Sequence, residues 1–282
     1  MQPPFSPRII LNMTLSALSG LLLLFAQPLV STELQAPYIQ TPQSVVTEML
    51  EMAGVGPEDR VLDLGSGDGR IPILAARDFG ARGRGIEIDP DLVGLARRNA
   101  EAAEVSGKVE FEQADLFEVA LGDADVITLY LLPELNLRLR PRLLALEPGT
   151  RVVSHEFDMG DWPPDQTQTV RNRPLYLWVI PADVEGRWQL SHADQQMDVK
   201  LEQHFQSVMG HARIGGEQYP LRDIRLEGKD LGFRVQRDGP DSVFQGQVKG
   251  DKMTLEARPA LSGHTASRFW SGRRLTPEDQ AE

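Results

Sequence analysis

Val61-Leu-Asp-Leu-Gly65-Ser-Gly67-Asp-Gly69-Arg70 decides how the rest of this chain is read. Arg60 to Leu64 is a short apolar run of strand type, and it ends in three glycines at alternate positions. Helical spacing follows from Ile71 to Phe79. A loop so poor in Cβ atoms lets a ligand approach the main chain closely. Its spacing is selective. Dinucleotide loops of the Gly-x-Gly-x-x-Gly kind need a third glycine at position 70, where this chain has Arg. Phosphate loops need Gly-Lys-Ser/Thr, which is missing. What remains is Gly-x-Gly-x-Gly with Asp63 two residues before the first glycine.

Working outward, Gly85-Ile-Glu-Ile-Asp89 reads as the next strand, and Glu87 at its end lies 22 positions after Gly65. A carboxylate there can accept both hydroxyls of a ribose. Asp89 and Pro90 cap and open a helix through Glu104. Lys108 to Gln113 alternates as a third strand, and Ala124 to Leu132 is a continuous apolar run suited to burial on both faces. Pro133 to Leu146 is helical and Arg151 to Phe157 a strand; Thr167–Arg171 and Leu175–Ile180 form a closing hairpin. Strand and helix in alternation predict an α/β fold, a parallel sheet with helices on both faces. After Ala182 the texture changes to short alternating runs broken by Gly215-Gly216, Gly228-Lys-Asp and Lys249-Gly-Asp. That pattern predicts a small antiparallel β domain, a barrel or a sandwich. The expected domains are therefore 1–36, 37–182 and 183–271, with 272–282 as a flexible polar tail.

Apolar residues make up 41% of the 282 and charged ones 25%, the composition of an ordinary globular chain. Basic side chains number 29 against 41 acidic, a net charge of −12. Residues 1–182 hold 15 basic and 25 acidic groups, so most of the excess lies there. Such a field repels a phosphate backbone, and no nucleic-acid partner is expected. Without cysteine there is no disulfide, thiol nucleophile or thiolate metal site. His192, His204, His211 and His264 lack metal-ligand spacing, so no metal is expected either. From Ile9 to Thr32 no residue is charged, with Arg8 before and Glu33 after. This is the layout of an export signal, and it is long enough for an uncleaved membrane anchor. The expected location is the cell envelope, exported or anchored, with a cytoplasm-facing anchor as the other orientation.

Together the glycine loop, the strand-end Glu87 and Glu112-Gln-Ala-Asp115-Leu116 resemble the class I, seven-β-strand methyltransferases that use S-adenosyl-L-methionine. The likeness covers about residues 37–181 and implies a Rossmann-like sheet and that cofactor. It further implies Asp63, Gly65, Ser66, Gly67 and Gly69 at the methionine end, Glu87 at the ribose, and Asp115 with Leu116 at the adenine. Ala36-Pro-Tyr38-Ile-Gln-Thr41-Pro42 and Leu129-Tyr130-Leu131-Leu132-Pro133 are similar to segments of the small protein-lysine methyltransferases. That family includes the mitochondrial enzymes acting on ATP synthase subunit c and the adenine nucleotide translocase, and it has bacterial relatives. The likeness implies that Tyr38 and Thr41 fold over the cofactor and that the acceptor is a protein lysine. The fourth strand does not end in the Asp/Asn-Pro-Pro-Tyr motif, which argues against nucleobase and glutamine acceptors.

A lysine acceptor must lose a proton from a pKa near about 10.4, so acidic or phenolic neighbours are needed. Tyr130 and Glu134 are the expected catalytic pair; Asn136, His155 and Glu156 also fall at the ends of strands four and five. Each has a plainer reading. Tyr130 suits the core, Glu134 a helix first turn, Asn136 an exposed helix face, His155 a satisfied buried site, and Glu156 an ion pair with an arginine. Trp162-Pro-Pro164 is expected to pack a loop beside the site, and Gly186-Arg-Trp188 resembles the opening of lipocalin-like barrels. Three other functions fit less well: methylation of a small amine or hydroxyl compound, a non-catalytic envelope scaffold, and an NAD-dependent oxidoreductase, which Arg70 disfavours.

Overall fold

The computed structural model describes residues 38–236, 242–259, 268–276 and 278–280. The uncharged N-terminal stretch lies outside the described residues. Among them no helix is long and apolar enough to cross a membrane.

The first half is a seven-stranded sheet in the order β3-β2-β1-β4-β5-β7-β6. Its strands are β1 (Arg60–Leu64), β2 (Arg82–Glu87), β3 (Val109–Gln113), β4 (Val126–Leu129), β5 (Arg151–His155), β6 (Gln166–Val170) and β7 (Arg173–Val179). Strands β1 to β5 run parallel; β7 is antiparallel to β5 and to β6. Alternation sorts side chains onto two faces, as the pleat requires. Val126, Val153, Leu175 and Leu177 pack with α1 (Gln43–Met52) and α2 (Arg70–Asp78). Ile127, Leu129, Val152 and Trp178 pack with Leu135, Leu139 and Leu143 of α4 (Pro133–Leu144). The remaining helix, α3 (Pro90–Ala102), sets Val93 and Ala96 against Phe111 of β3. Asp89 caps α3 by accepting from the Asp91 N–H at 2.8 Å, with Pro90 in its first turn. Covering both faces leaves the carboxyl edge of the parallel strands as the open surface, the place where ligands bind in such sheets.

The second half is a closed eight-stranded barrel in which chain neighbours pair antiparallel. Its strands are β8 (Gly186–His192), β9 (Gln195–His204), β10 (Ser207–Ile214), β11 (Glu217–Glu227), β12 (Asp230–Val235), β13 (Ser242–Lys249), β14 (Lys252–Pro259) and β15 (Arg268–Arg274). Inward side chains fill it, among them Trp188, Leu190, Leu201, Phe233, Phe244 and Leu255. Trp188 is fully buried, and its indole N–H donates to the Val184 carbonyl at 2.9 Å.

One expectation fails here. Gly272 to Arg274 do not belong to a loose tail but finish the closing strand, where Gly272 pairs with both Met253 and Leu190. A Cβ on Gly272 would stand 2.3 Å from Met253 Cγ, so the barrel closes around a position with no side chain. The Arg274 and Leu275 N–H groups then donate to the Asp251 and Arg187 carbonyls, and a 3-10 turn follows at Glu278–Gln280.

Candidate active site

The glycine loop leaves β1 through left-handed backbone at Gly65, Gly67 and Gly69. Two contacts explain why side chains are absent. A Cβ on Gly67 would lie 2.6 Å from Tyr38 Cε2, and one on Gly69 would lie 2.5 Å from Phe111 Cζ. Tyr38 therefore lies against the loop while remaining half-exposed. Arg70 ties this lid down. Its Nη1 donates to the Thr41 carbonyl at 2.6 Å, while Nε and Nη2 grip both oxygens of Asp68. Gln40 joins in, donating to Tyr38 Oη at 2.9 Å. The residue that broke the dinucleotide pattern thus anchors the Tyr38–Thr41 segment. Burial pushes the Asp68 carboxyl up, but the Arg70 guanidinium outweighs it and holds the group below its ordinary value.

Asp63 sits at the end of β1, nearly fully buried, and accepts from Thr128 Oγ1 of β4 at 2.6 Å. Burial pushes its pKa up to about 7; Thr128 opposes this, while Glu87 and Asp68 add to it. At the end of β2, Glu87 Oε1 accepts from the Ile88 and Asp89 N–H groups, and Oε2 accepts from the Gly67 N–H at 2.9 Å. Glu87 pairs with Gln113 of β3, which brings Ile88 and Asp115 just past the same rung. Asp115 Oδ1 accepts from the Phe117 N–H, closing a tight turn at half-buried Leu116. Arg142 of α4 fixes that turn through the carbonyls of Leu116, Phe117 and Val119. All ten expected cofactor residues therefore line the carboxyl edge of β1, β2 and β3 or the segment folded onto it.

A second group forms at the ends of β4 and β5. Tyr130 Oη donates to Glu156 Oε2 at 2.9 Å and accepts from Arg173 Nη1 at 3.0 Å, while Arg173 Nη1 also pairs with Glu156 Oε2. Burial and the Glu156 carboxylate push the Tyr130 phenol above its ordinary value. His155 is fully buried beside the Tyr130 ring, with centroids 4.2 Å apart and both nitrogens without a partner among the described residues. Burial lowers its pKa to about 4, so it is neutral at pH 7. The plainer reading of His155 as a satisfied buried histidine is therefore replaced by a neutral, unpartnered one. Glu134 stands exposed in the first turn of α4, with no side-chain hydrogen bond among the described residues, apart from the Tyr130 cluster. Asn136 is not on an exposed face. It is buried, and its amide donates to the Phe157 and Asp158 carbonyls, holding the chain that leaves β5.

A sequence model described as "ANTKMT methyltransferase domain" matches residues 63–166. The chain is 43% identical over 150 residues to a protein-lysine N-methyltransferase of Saccharolobus islandicus, spanning 51% of this chain and 93% of that one. It is 39% identical over 137 residues to the adenine nucleotide translocase lysine N-methyltransferase of Mus musculus, spanning 48% of this chain and 59% of that one. A solved structure from Salinibacter ruber, described as an RNA methyltransferase in complex with S-adenosyl-L-homocysteine, is 56% identical. The match covers 52% of this chain and 96% of that one, with a TM-score of 0.51. The chain belongs to the S-adenosylmethionine-dependent lysine methyltransferase family.

As a methyltransferase the chain fits its cofactor on two observations. Ser66 Oγ is buried in the loop without a partner among the described residues, and the carboxylates of Asp63 and Glu87 at the ends of β1 and β2 suit a cationic ligand end and a ribose. Sequence reasoning missed Ile88 and Arg173. Ile88 is 44% exposed just past the end of β2, an apolar side chain left at the surface; its position directly after Glu87 was the available signal. Arg173 follows a two-residue turn with positive φ at Arg171 and Asn172, the geometry that suits a right-twisted hairpin. That turn was foreseen, but not the side chain it delivers to Glu156.

Proposed function

We propose that this methyltransferase acts on the side-chain amine of a protein lysine. The observation that carries the reading is the paired Tyr130 hydroxyl and Glu156 carboxylate at the open edge beside the glycine loop. The Saccharolobus protein supports it independently, since this chain spans nearly all of that protein's length.

Bound S-adenosylmethionine supplies an electrophilic methyl on a sulfonium sulfur, which a neutral amine nitrogen accepts in line as the bond electrons return to sulfur. The protein's part is alignment and proton handling. Tyr38, Thr41 and the loop from Asp63 to Gly69 would enclose the methionine end, Glu87 would take the ribose, and Asp115 with Leu116 and Ile88 would take the adenine. Tyr130, backed by Glu156, orients the amine and passes its proton outward. Glu134, exposed where the chain leaves β4, adds negative charge toward an incoming cation.

An RNA acceptor is the second reading, favoured by the description of the Salinibacter protein. The acidic excess over residues 1–182 weighs against it. A small amine or hydroxyl compound would use the same site, and a non-catalytic scaffold would use none of it. Residues 9–32 lead us to place the protein at the cell envelope, which fractionation of cells producing the full chain would test.

The deciding experiment incubates the full-length protein with methyl-labelled S-adenosylmethionine and a cell extract, then digests with protease or nuclease. Protease-sensitive label supports the lysine reading. Nuclease-sensitive label overturns it in favour of RNA.

A further inference from the structure

Tyr130 Oη, Glu156 Oε2 and Arg173 Nη1 form a closed triangle of hydrogen bonds in which two oxygens converge on one cationic nitrogen. We infer that Arg173 Nη1 occupies the position of the acceptor's nitrogen, so that Tyr130 and Glu156 form a binding site for a primary alkylammonium, which enters by displacing Arg173. This deepens the lysine reading and rests on it for the class of acceptor.

Three features carry the inference beyond an ordinary surface ion pair. First, Glu156 holds φ at 73° although it is not glycine. Backbone in that region is costly for a side-chain-bearing residue and gathers at functional sites, where surrounding contacts enforce it. Here the Glu156 N–H donates to the Pro174 carbonyl at 2.8 Å, which fixes the turn and aims the carboxylate at Tyr130. Second, rings without charge back the Tyr130 side of the pair. Phe157 stacks near Tyr130 with centroids 6.5 Å apart, and the uncharged His155 ring packs on its other contact. Third, the arginine is replaceable. Its side chain is 45% exposed and that of Glu156 31%, so water reaches the pair and an exposed ion pair of this kind contributes little to stability. A compact ammonium has three donors, enough to satisfy both oxygens as the guanidinium does.

The step is an exchange of cations at one carboxylate, with no bond made or broken. Arg173 is therefore a positioning residue. It keeps the two oxygens converged before the acceptor arrives, and it gives them up only to another cation. Neutral acceptors would leave Arg173 in place, which makes the exchange a filter for amines over alcohols.

The test titrates the full-length protein, saturated with S-adenosylhomocysteine, with n-butylammonium and with n-butanol by calorimetry. The wild type should bind the ammonium weakly and the alcohol not at all. Arg173→Met should bind the ammonium about tenfold more tightly, because the competing cation is gone. Glu156→Gln should weaken it about tenfold or more, the scale of losing a charged hydrogen-bond partner, and Tyr130→Phe should weaken it several-fold. S-adenosylhomocysteine affinity, measured on each variant, shows that the fold persists. Weaker or unchanged ammonium binding in Arg173→Met overturns the inference, as does unchanged binding in Glu156→Gln. The two readings fail separately. Ammonium binding with this pattern but no methylated lysine in any acceptor keeps the site and removes the lysine reading. Lysine methylation with a wild-type KM in Glu156→Gln does the reverse.

Discussion

The Gly67 N–H donates to Glu87 Oε2 at 2.9 Å, so the carboxylate proposed to receive the ribose also holds the glycine loop in shape. One side chain thus joins the ends of β1 and β2. Glu87→Ala should lose cofactor affinity by about 100-fold, since two roles disappear together, each on the scale of a charge-assisted hydrogen bond. Glu87→Gln keeps one carbonyl oxygen for the loop and should lose about tenfold. Titration of each variant with S-adenosylmethionine checks the order.

Tyr38 and Gly67 are matched surfaces. Gly67→Ala places a methyl against the Tyr38 ring, yet that ring is half-exposed and can shift toward solvent at the cost of its Gln40 hydrogen bond. The variant should fold with a stability loss of only about 1–2 kcal/mol, the cost of a left-handed alanine. Its cofactor affinity should fall to that of Tyr38→Ala, and the double variant should be no worse than either single one.

Asp63 should make cofactor binding pH-dependent. Its carboxyl titrates near 7 in the folded protein against 3.8 in the reference state. Folding therefore raises the pKa, and the group lowers stability as pH rises from about 4 to about 7, with the full cost present above that. Asp63→Asn should gain stability over wild type across this window and keep the gain at pH 8. Affinity runs the other way. A cationic ligand end needs the carboxylate, so S-adenosylmethionine should bind more weakly as pH falls below 7, approaching tenfold per unit. The dependence should vanish in Asp63→Asn, and a proton should be released on wild-type binding at pH 6.

The barrel meets the methyltransferase sheet at Trp162. This indole is fully buried; its N–H donates to Gln206 Oε1 at 3.0 Å, and its ring stacks on Phe205 at 5.9 Å between centroids. Gln206 in turn donates to the Pro163 carbonyl at 2.6 Å. Trp162→Ala should cost about 3–5 kcal/mol of stability, and Gln206→Ala about 1 kcal/mol. Denaturant unfolding of both variants tests this coupling.

Much of this was legible because it is local. The apolar runs, the alternate glycines and the Asp89-Pro90 cap each occupy a few consecutive residues, and each forms where its pattern lies. The closing barrel strand was not legible, since Arg268–Arg274 carries three arginines and presents a glycine where a core side chain belongs. Its inward position is filled by Met253 from the next strand, which no pattern within the segment records. Glu156 was read as open to an arginine partner, but that the partner is Arg173 escaped for a related reason. Both lie at strand ends brought together by an antiparallel register, and ion pairs across a sheet leave no periodicity. Asn136 was misplaced because a polar residue in an amphipathic helix reads as solvent-facing, whereas here it serves two backbone carbonyls in the core.

The most direct test is the chemical identity of the methylated atom. Acceptor protein labelled by the full-length enzyme from methyl-labelled S-adenosylmethionine is hydrolysed in acid, and its amino acids are separated. Label in Nε-methyllysines, absent when the enzyme carries Glu87→Ala, is the predicted result. Label in any other residue, or only in RNA, would contradict the lysine assignment while leaving the cofactor site intact.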